Sequence, residues 1–324
     1  MMKELLLGLF LMTGQFILAQ IDQEVIDKVD TYPSSFSLYE TLSERIITDF
    51  ENDYDRAAAI YTWMAMHIKY DAKALFSGQV QRVAHFSYRN EAEKYQKEKA
   101  LRDELARSTL KKKKAVCQGY AELYRLLCQA CGIECEVISG YSRSHLNDIG
   151  KVRSEPDHAW NAIRIDDEWS FVDATWGAGH VDYKTRKFVP AFTTAFYAVE
   201  PAIFTYNHFP EEQEWNFTEL TLKDFSQQPL FYHTFFKKDI ELLSPMNGVL
   251  KKTSKQRIII KFKTTRDRKH VFHYAFHGMK YMKDADVQRN GDVITLLIDA
   301  EGHRSGYLDI IIDDETVMTY KLRL

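Results

Sequence analysis

Three separated strings carry side chains that together could perform nucleophilic chemistry. Cys117 stands in Val116-Cys117-Gln118-Gly119-Tyr120-Ala121, His158 opens His158-Ala159-Trp160-Asn161, and Asp173 lies in the run WSFVDATW at 169–176. A cysteine nucleophile needs a stabilised thiolate, a base to share its proton and a group that orients the base. Cys117, His158 and Asp173 offer those roles in that chain order. The chemistry is attack on an acyl carbon with a thioester intermediate.

These residues can cooperate only if the chain between them folds suitably. Tyr120, Leu123, Tyr124, Leu127 and Cys131 recur at helical spacing and Gly132 stops the pattern, which predicts a buried helix beginning at Cys117. A helix N-terminus presents free backbone N–H groups and the positive end of the dipole, suited to a thiolate and to an oxyanion. The runs 134–141, 158–165 and 169–175 predict strands, the last two joined in a hairpin at Asp166-Asp167. Side-chain alternation then sets His158 and Asp173 opposite each other or one diagonal step apart. A carboxylate beside the imidazole would fix its tautomer and favour the imidazolium.

Upstream, residues 55–69 predict an amphipathic helix with Asp55 as N-cap, and 89–114 a solvated helix ending in Lys111-Lys112-Lys113-Lys114. Trp63 admits two readings, an oxyanion donor or a core side chain, and its apolar helix face favours the core. Trp160 and Trp176 flank the candidate triad as cleft walls or as core. Residues 180–236 are aromatic-rich and broken by Pro190, Pro201, Pro210 and Pro229, and are expected to wrap the first domain without a sheet of their own. Beyond Pro245-Met246-Asn247-Gly248, short β-branched runs at 256–263, 270–275, 293–299, 307–313 and 316–323 predict a small all-β sandwich.

The blocks at 116–121, 131–133 (Cys131-Gly132-Ile133), 158–161 and 169–176, preceded by Tyr61-Thr62-Trp63 and Ile68-Lys69-Tyr70-Asp71, resemble the core of the transglutaminase-like superfamily over residues 56–180. The resemblance implies an α+β, papain-like cysteine protease fold, here followed by an immunoglobulin-like sandwich. It also implies a triad of Cys117, His158 and Asp173, and acyl transfer from glutamine or peptide amides to an amine or to water. Such chemistry needs no metal or organic cofactor, and the calcium used by some animal relatives finds no recognisable ligand cluster. The segment Phe209-Pro210-Glu211-Glu212-Gln213-Glu214-Trp215 is similar to one in the kyphoscoliosis-peptidase and cytokinesis subgroup, although Asn216-Phe217 replace the Gln and leucines that follow there.

Composition narrows the classes further. The chain has 324 residues, 45% hydrophobic and 27% charged, with a net charge of −3, so no global bias toward nucleic acid or an anionic bilayer exists. Residues 1–19 join Lys3 to an apolar run ending at Ala19 and read as a cleaved signal peptide, with an uncleaved anchor as the other reading. Nothing after residue 20 is apolar enough to span a membrane. A secreted or periplasmic protein follows, with a transglutaminase-like domain at 20–236 and the sandwich at 237–324. Cys128, Cys131 and Cys135 lack the partners a zinc site requires and read as buried packing residues, with one disulfide among them left open.

The expected function is an exported cysteine-dependent hydrolase or acyltransferase acting on a protein or peptide substrate as peptidase, deamidase or transglutaminase. A protein or glycan could dock at the sandwich. The alternative is a non-catalytic exported binding or scaffold protein that keeps the fold.

Overall fold

The computed structural model describes residues 21–77, 87–251, 257–264, 268–303 and 305–323. The signal-peptide expectation at 1–19 lies outside them. Among the described residues no helix is long and apolar enough to cross a membrane.

The predicted helix at 55–69 forms as Asp53–His67, with its interior alanines, Ile60, Trp63 and Met64 buried. Its N-cap is Asn52, which accepts from the Asp55 N–H, and not Asp55 itself. The helix starts two residues earlier than expected because Asn52 is the side chain whose oxygen reaches the N3 amide. The solvated helix runs Glu91–Lys112 and closes on Lys113 in the left-handed conformation; Lys114 then pairs with Asp71 at 3.1 Å. The lysine run is thus a helix C-terminus followed by a strand.

The helix Cys117–Ala130 lies in the core, packed on the helix Glu91–Lys112 and on the sheet. That sheet has four antiparallel strands in the order Glu168–Val172, His158–Ile165, Glu134–Ser142, His208–Pro210. Asp166 and Asp167 both take positive φ, the geometry of a tight hairpin turn whose twist matches that of the strands. Gly119 lets the helix approach its neighbours: a Cβ there would stand 2.6 Å from Ala115 Cβ and 2.6 Å from Thr109 Oγ1. Asn161 ties strand to helix, its amide donating to Ala121 O at 3.0 Å.

Residues 180–236 depart from expectation. Gly179–Asp182 and Lys187–Pro190 form a hairpin, His208–Pro210 joins the central sheet, and Leu230–Phe231 pairs with Glu315–Arg323. Pro190 and Pro210 end their strands, Pro229 lies between elements, and Pro201 opens the helix Pro201–Phe204, positions where the missing N–H breaks no ladder or helical bond. These short strands are too brief to show periodicity.

The C-terminal part is the two-sheet sandwich that the β-branched runs predict. One sheet orders Ile240–Ser244, Arg257–Thr264, Val293–Asp299, Asp286–Asn290, and the other Val249–Lys251, Glu315–Arg323, Ser305–Ile312, Phe272–Phe276, Lys283–Asp284. Alternate residues such as Ile258, Ile260 and Phe262 on one sheet and Leu308, Ile310 and Ile312 on the other fill the interior. The same apolar cluster continues through Phe236, Phe204 and Phe171 to Trp160 on the central sheet.

A buried ionic network holds the helix that begins at Cys117. Arg125 donates to Asp103 at 2.7 Å and to Glu122 at 2.8 Å, and Glu122 also accepts from Arg102 at 2.9 Å. Removing one partner of a buried ion pair leaves uncompensated charge, so Arg125→Ala is expected to lower the unfolding free energy by roughly 3 kcal/mol. Denaturant titration against the wild type measures it; an unchanged midpoint would remove the network from the account of helix placement.

Candidate active site

Cys117 is the first residue of its helix and Val116 at the N-cap offers no side-chain hydrogen bond; in the first turn the Gly119 amide donates to Val116 O at 3.0 Å, while a first-residue amide such as that of Cys117 has no intrahelical acceptor. The Cys117 side chain is half-buried and lies near enough to His158 to favour the charged form of that imidazole. His158 directs Nε2 to Asp173 Oδ2 at 2.7 Å. The structure therefore brings together all three residues that the sequence singled out.

Asp173 reaches this position differently from the expected strand end. The ladder stops at Val172, and Asp173 becomes the N-cap of the short helix Ala174–Ala178. Its Oδ1 accepts from the amides of Thr175 at 2.8 Å and Trp176 at 3.0 Å, while Oδ2 turns to the imidazoles. Since Asn161 pairs with Val172, continuing the register sets Asp173 beside Trp160, one diagonal step from His158.

Sequence reasoning missed His208. It is fully buried, and its Nε2 lies 3.0 Å from the same Asp173 Oδ2. Its strand reaches the site because Gly140 is bare: a Cβ there would stand 2.3 Å from Phe209 O and 2.4 Å from Trp160 Cη2. The signal available was small, a His immediately before Phe209-Pro210 inside the segment shared with the kyphoscoliosis-peptidase subgroup.

Electrostatics follow from burial and this shared carboxylate. Burial disfavours the Asp173 anion, but the charge and hydrogen bond of His158 and the bond from His208 outweigh it and hold the carboxyl well below the usual range. Burial likewise disfavours the His158 imidazolium, and Asp173 together with Cys117 reverses this, holding His158 well above the ordinary imidazole value. His208 goes the other way: burial dominates and pushes it down to about 4, so it is neutral at neutral pH. By type, His158, Asp173 and His208 could ligate a metal, their ligand atoms lying within 4.8 Å of one another. The contacts of 2.7 and 3.0 Å are instead accounted for by N–H groups donating to a carboxylate.

Other candidates settle into structure. Trp63 is buried and its indole N–H donates to Pro33 O at 2.9 Å, which spends it as an oxyanion donor. Trp160 is core at 1% exposure, whereas Trp176 is half-buried against His158 and His208. Asp157 accepts from the Ser142 amide at 2.7 Å, and His67 hydrogen-bonds Trp63 O at 2.9 Å. Cys128, Cys131 and Cys135 are buried free thiols, so the disulfide left open by the sequence is not formed.

Residues 40–174 match the model of the transglutaminase-like superfamily. The chain is similar to the kyphoscoliosis peptidases of Mus musculus and Homo sapiens, each 27% identical over 237 residues, which cover 71% of this chain and 33% of each relative. It is also similar to the Lim and transglutaminase domain protein ltd-1 of Caenorhabditis elegans, 25% identical over 321 residues, covering 90% of this chain and 40% of that protein. The chain thus spans about a third of the length of the kyphoscoliosis peptidases. Among solved structures, a crystal structure of a TGase aligns with a TM-score of 0.28 and 20% identity over 47% of this chain and 31% of that one.

The shifted values make stability pH-dependent in a defined way. Asp173, held low, contributes fully above its unfolded value of about 3.9 and loses that contribution as pH falls through its folded value. His158, held high, contributes fully below its unfolded value of about 6.5 and loses it as pH rises through its folded value. The stability difference between wild type and Asp173→Asn is therefore expected to be greatest between about pH 4 and 6.5 and to shrink on either side. Calorimetric unfolding across pH 3–10 tests this; a pH-independent difference would mean that the pair is not ionised in the fold.

Proposed function

We propose that the chain is an exported cysteine acyl-transfer enzyme of the transglutaminase-like type. Cys117 Sγ attacks the carbonyl carbon of a peptide or glutamine amide while its own N–H, at the start of the helix, receives the developing oxyanion. The imidazolium of His158 donates a proton to the departing amine or ammonia as the C–N bond breaks, leaving a thioester. His158, now neutral, takes a proton from the incoming water or amine, and collapse of the second oxyanion regenerates the thiolate and imidazolium. Asp173 orients the ring and stabilises its charge throughout.

The observation that carries this reading is the bond from His158 Nε2 to Asp173 Oδ2 at 2.7 Å, with Cys117 at a helix start near that imidazole. The name peptidase borne by two relatives supports a peptide or protein substrate with water as acceptor. The apolar run near the N-terminus supports secretion into an extracellular or periplasmic space. On this proposal residues 20–236 form the catalytic domain and 237–324 the sandwich, which would hold the substrate protein, another protein or a glycan.

Two measurements test it. Iodoacetamide is expected to alkylate Cys117 near neutral pH at least roughly tenfold faster than an ordinary thiol, with the advantage lost in His158→Ala. Mass spectrometry of candidate peptides, with Cys117→Ala as control, separates outcomes: chain cleavage means peptidase, a gain of about one dalton deamidation, and an added amine with loss of ammonia transamidation. A Cys117 that reacts as an ordinary thiol, with Cys117→Ala leaving the biological role intact, would transfer the role to binding or scaffolding.

A further inference from the structure

Acyl transfer by Cys117, His158 and Asp173 engages three side chains, yet the Asp173 carboxylate is also held by His208, to which that mechanism gives no task. We propose that His208 is a positioning residue of this site: a neutral imidazole donating its Nε2–H to Asp173 Oδ2 and so fixing the oxygen that His158 must use. The inference deepens the acyl-transfer reading and rests on it for its functional consequence.

A carboxylate accepts about four hydrogen bonds, and Asp173 has four donors: the amides of Thr175 and Trp176 on Oδ1, and His158 and His208 on Oδ2. The amides pin one oxygen to the helix cap. That leaves rotation about the Cβ–Cγ bond to be fixed at the other oxygen, where His208 provides a second donor besides His158. His208 is itself immobilised, stacked on Phe204 at 4.0 Å between ring centroids and packed against Trp176 at 4.4 Å and Trp160 at 5.2 Å. Its backbone is locked by pairing with Ser142 at the end of the central sheet.

The tautomer is set by the same packing. Among the described residues His208 Nδ1 is buried without a hydrogen-bond partner. A buried N–H with no acceptor is costly, so the proton belongs on Nε2 and Nδ1 keeps its lone pair. Burial, which favours the neutral ring, agrees with this. Neutrality matters because a second imidazolium would compete with His158 for one negative charge. The titratable groups facing this cluster are Asp157 and His158 on His208; Tyr61, Tyr70 and Tyr120 on Asp173; and Cys117 on His158. A phenylalanine would fill the same aromatic box without an orphaned nitrogen. What the imidazole adds is the bond to Asp173.

The test compares His208→Phe, which keeps a ring and loses the donor; His208→Gln, whose amide nitrogen falls near the place of Nε2; and His208→Asn, whose amide falls short of Asp173. The pH profile of Cys117 alkylation by iodoacetamide and the NMR titration of the His158 ring are measured in each. In His208→Phe and His208→Asn the neutral-pH alkylation rate is expected to fall roughly 10- to 100-fold, the size expected for losing a hydrogen bond to a charged group. Their acid limb should move to higher pH, because a carboxylate with one donor fewer takes up a proton more readily. His208→Gln should restore both rate and profile to near wild type.

Unchanged profiles in folded His208→Phe or His208→Asn would reduce His208 to packing, as would equal impairment of the Gln and Asn variants. If His208→Phe fails to fold, the Gln and Asn contrast decides alone. The His158 NMR titration needs no reactive thiol. Should wild type and His158→Ala alkylate alike, the acyl-transfer reading fails, while a shifted His158 titration in His208→Asn restored in His208→Gln still upholds the positioning contact.

Discussion

A fully buried carboxylate is the demand around which the site is built. Removing an anion from water costs several kcal/mol unless its oxygens are satisfied and a counter-charge lies close. Asp173 meets that condition with two helix-cap amides and two imidazoles. Each contact constrains another element. The short helix Ala174–Ala178 must start where it does, the strand opening at His158 must take its register, and His208–Pro210 must close the sheet. The aromatic rings of Trp160, Trp176, Phe196 and Phe204 surround the imidazoles and exclude water, which strengthens the polar contacts inside.

The nucleophile side depends on a second buried polar system at the far side of its helix. Arg125, Glu122 and Asp103 clamp that helix to Glu91–Lys112, and the Asn161 amide clamps it to the His158 strand. Cys117 is positioned by rigid elements at both ends of the contact, since the strand that bears His158 also bears Asn161. This is the arrangement expected where the geometry of a reacting pair must be maintained to within fractions of an ångström.

The sandwich is joined to this architecture through apolar contact and short strands. Leu230–Phe231 adds to the edge of one sandwich sheet, and Arg143, buried near the central sheet, donates to the carbonyls of Gln228 and Pro229 at 2.6 and 3.0 Å. Phe231, Phe235 and Phe236 carry the core from Phe204 and Trp160 into the sandwich. Continuous burial of this kind opposes free hinge motion between the two parts.

The sequence alone determined what depends on local pattern. Helical spacing from Tyr120 to Cys131 marked a helix starting at Cys117, alternation and the Asp166-Asp167 turn marked the hairpin that brings His158 toward Asp173, and β-branched runs marked the sandwich. What local pattern cannot report is which distant segment completes a burial requirement. The role of Asp173 as a helix cap, the spending of the Trp63 indole on Pro33, and above all the arrival of His208 were decided by tertiary packing. A strand as short as His208–Pro210 carries no readable period. Its position follows from a bare Gly140 and from a buried carboxylate that still had room for one donor.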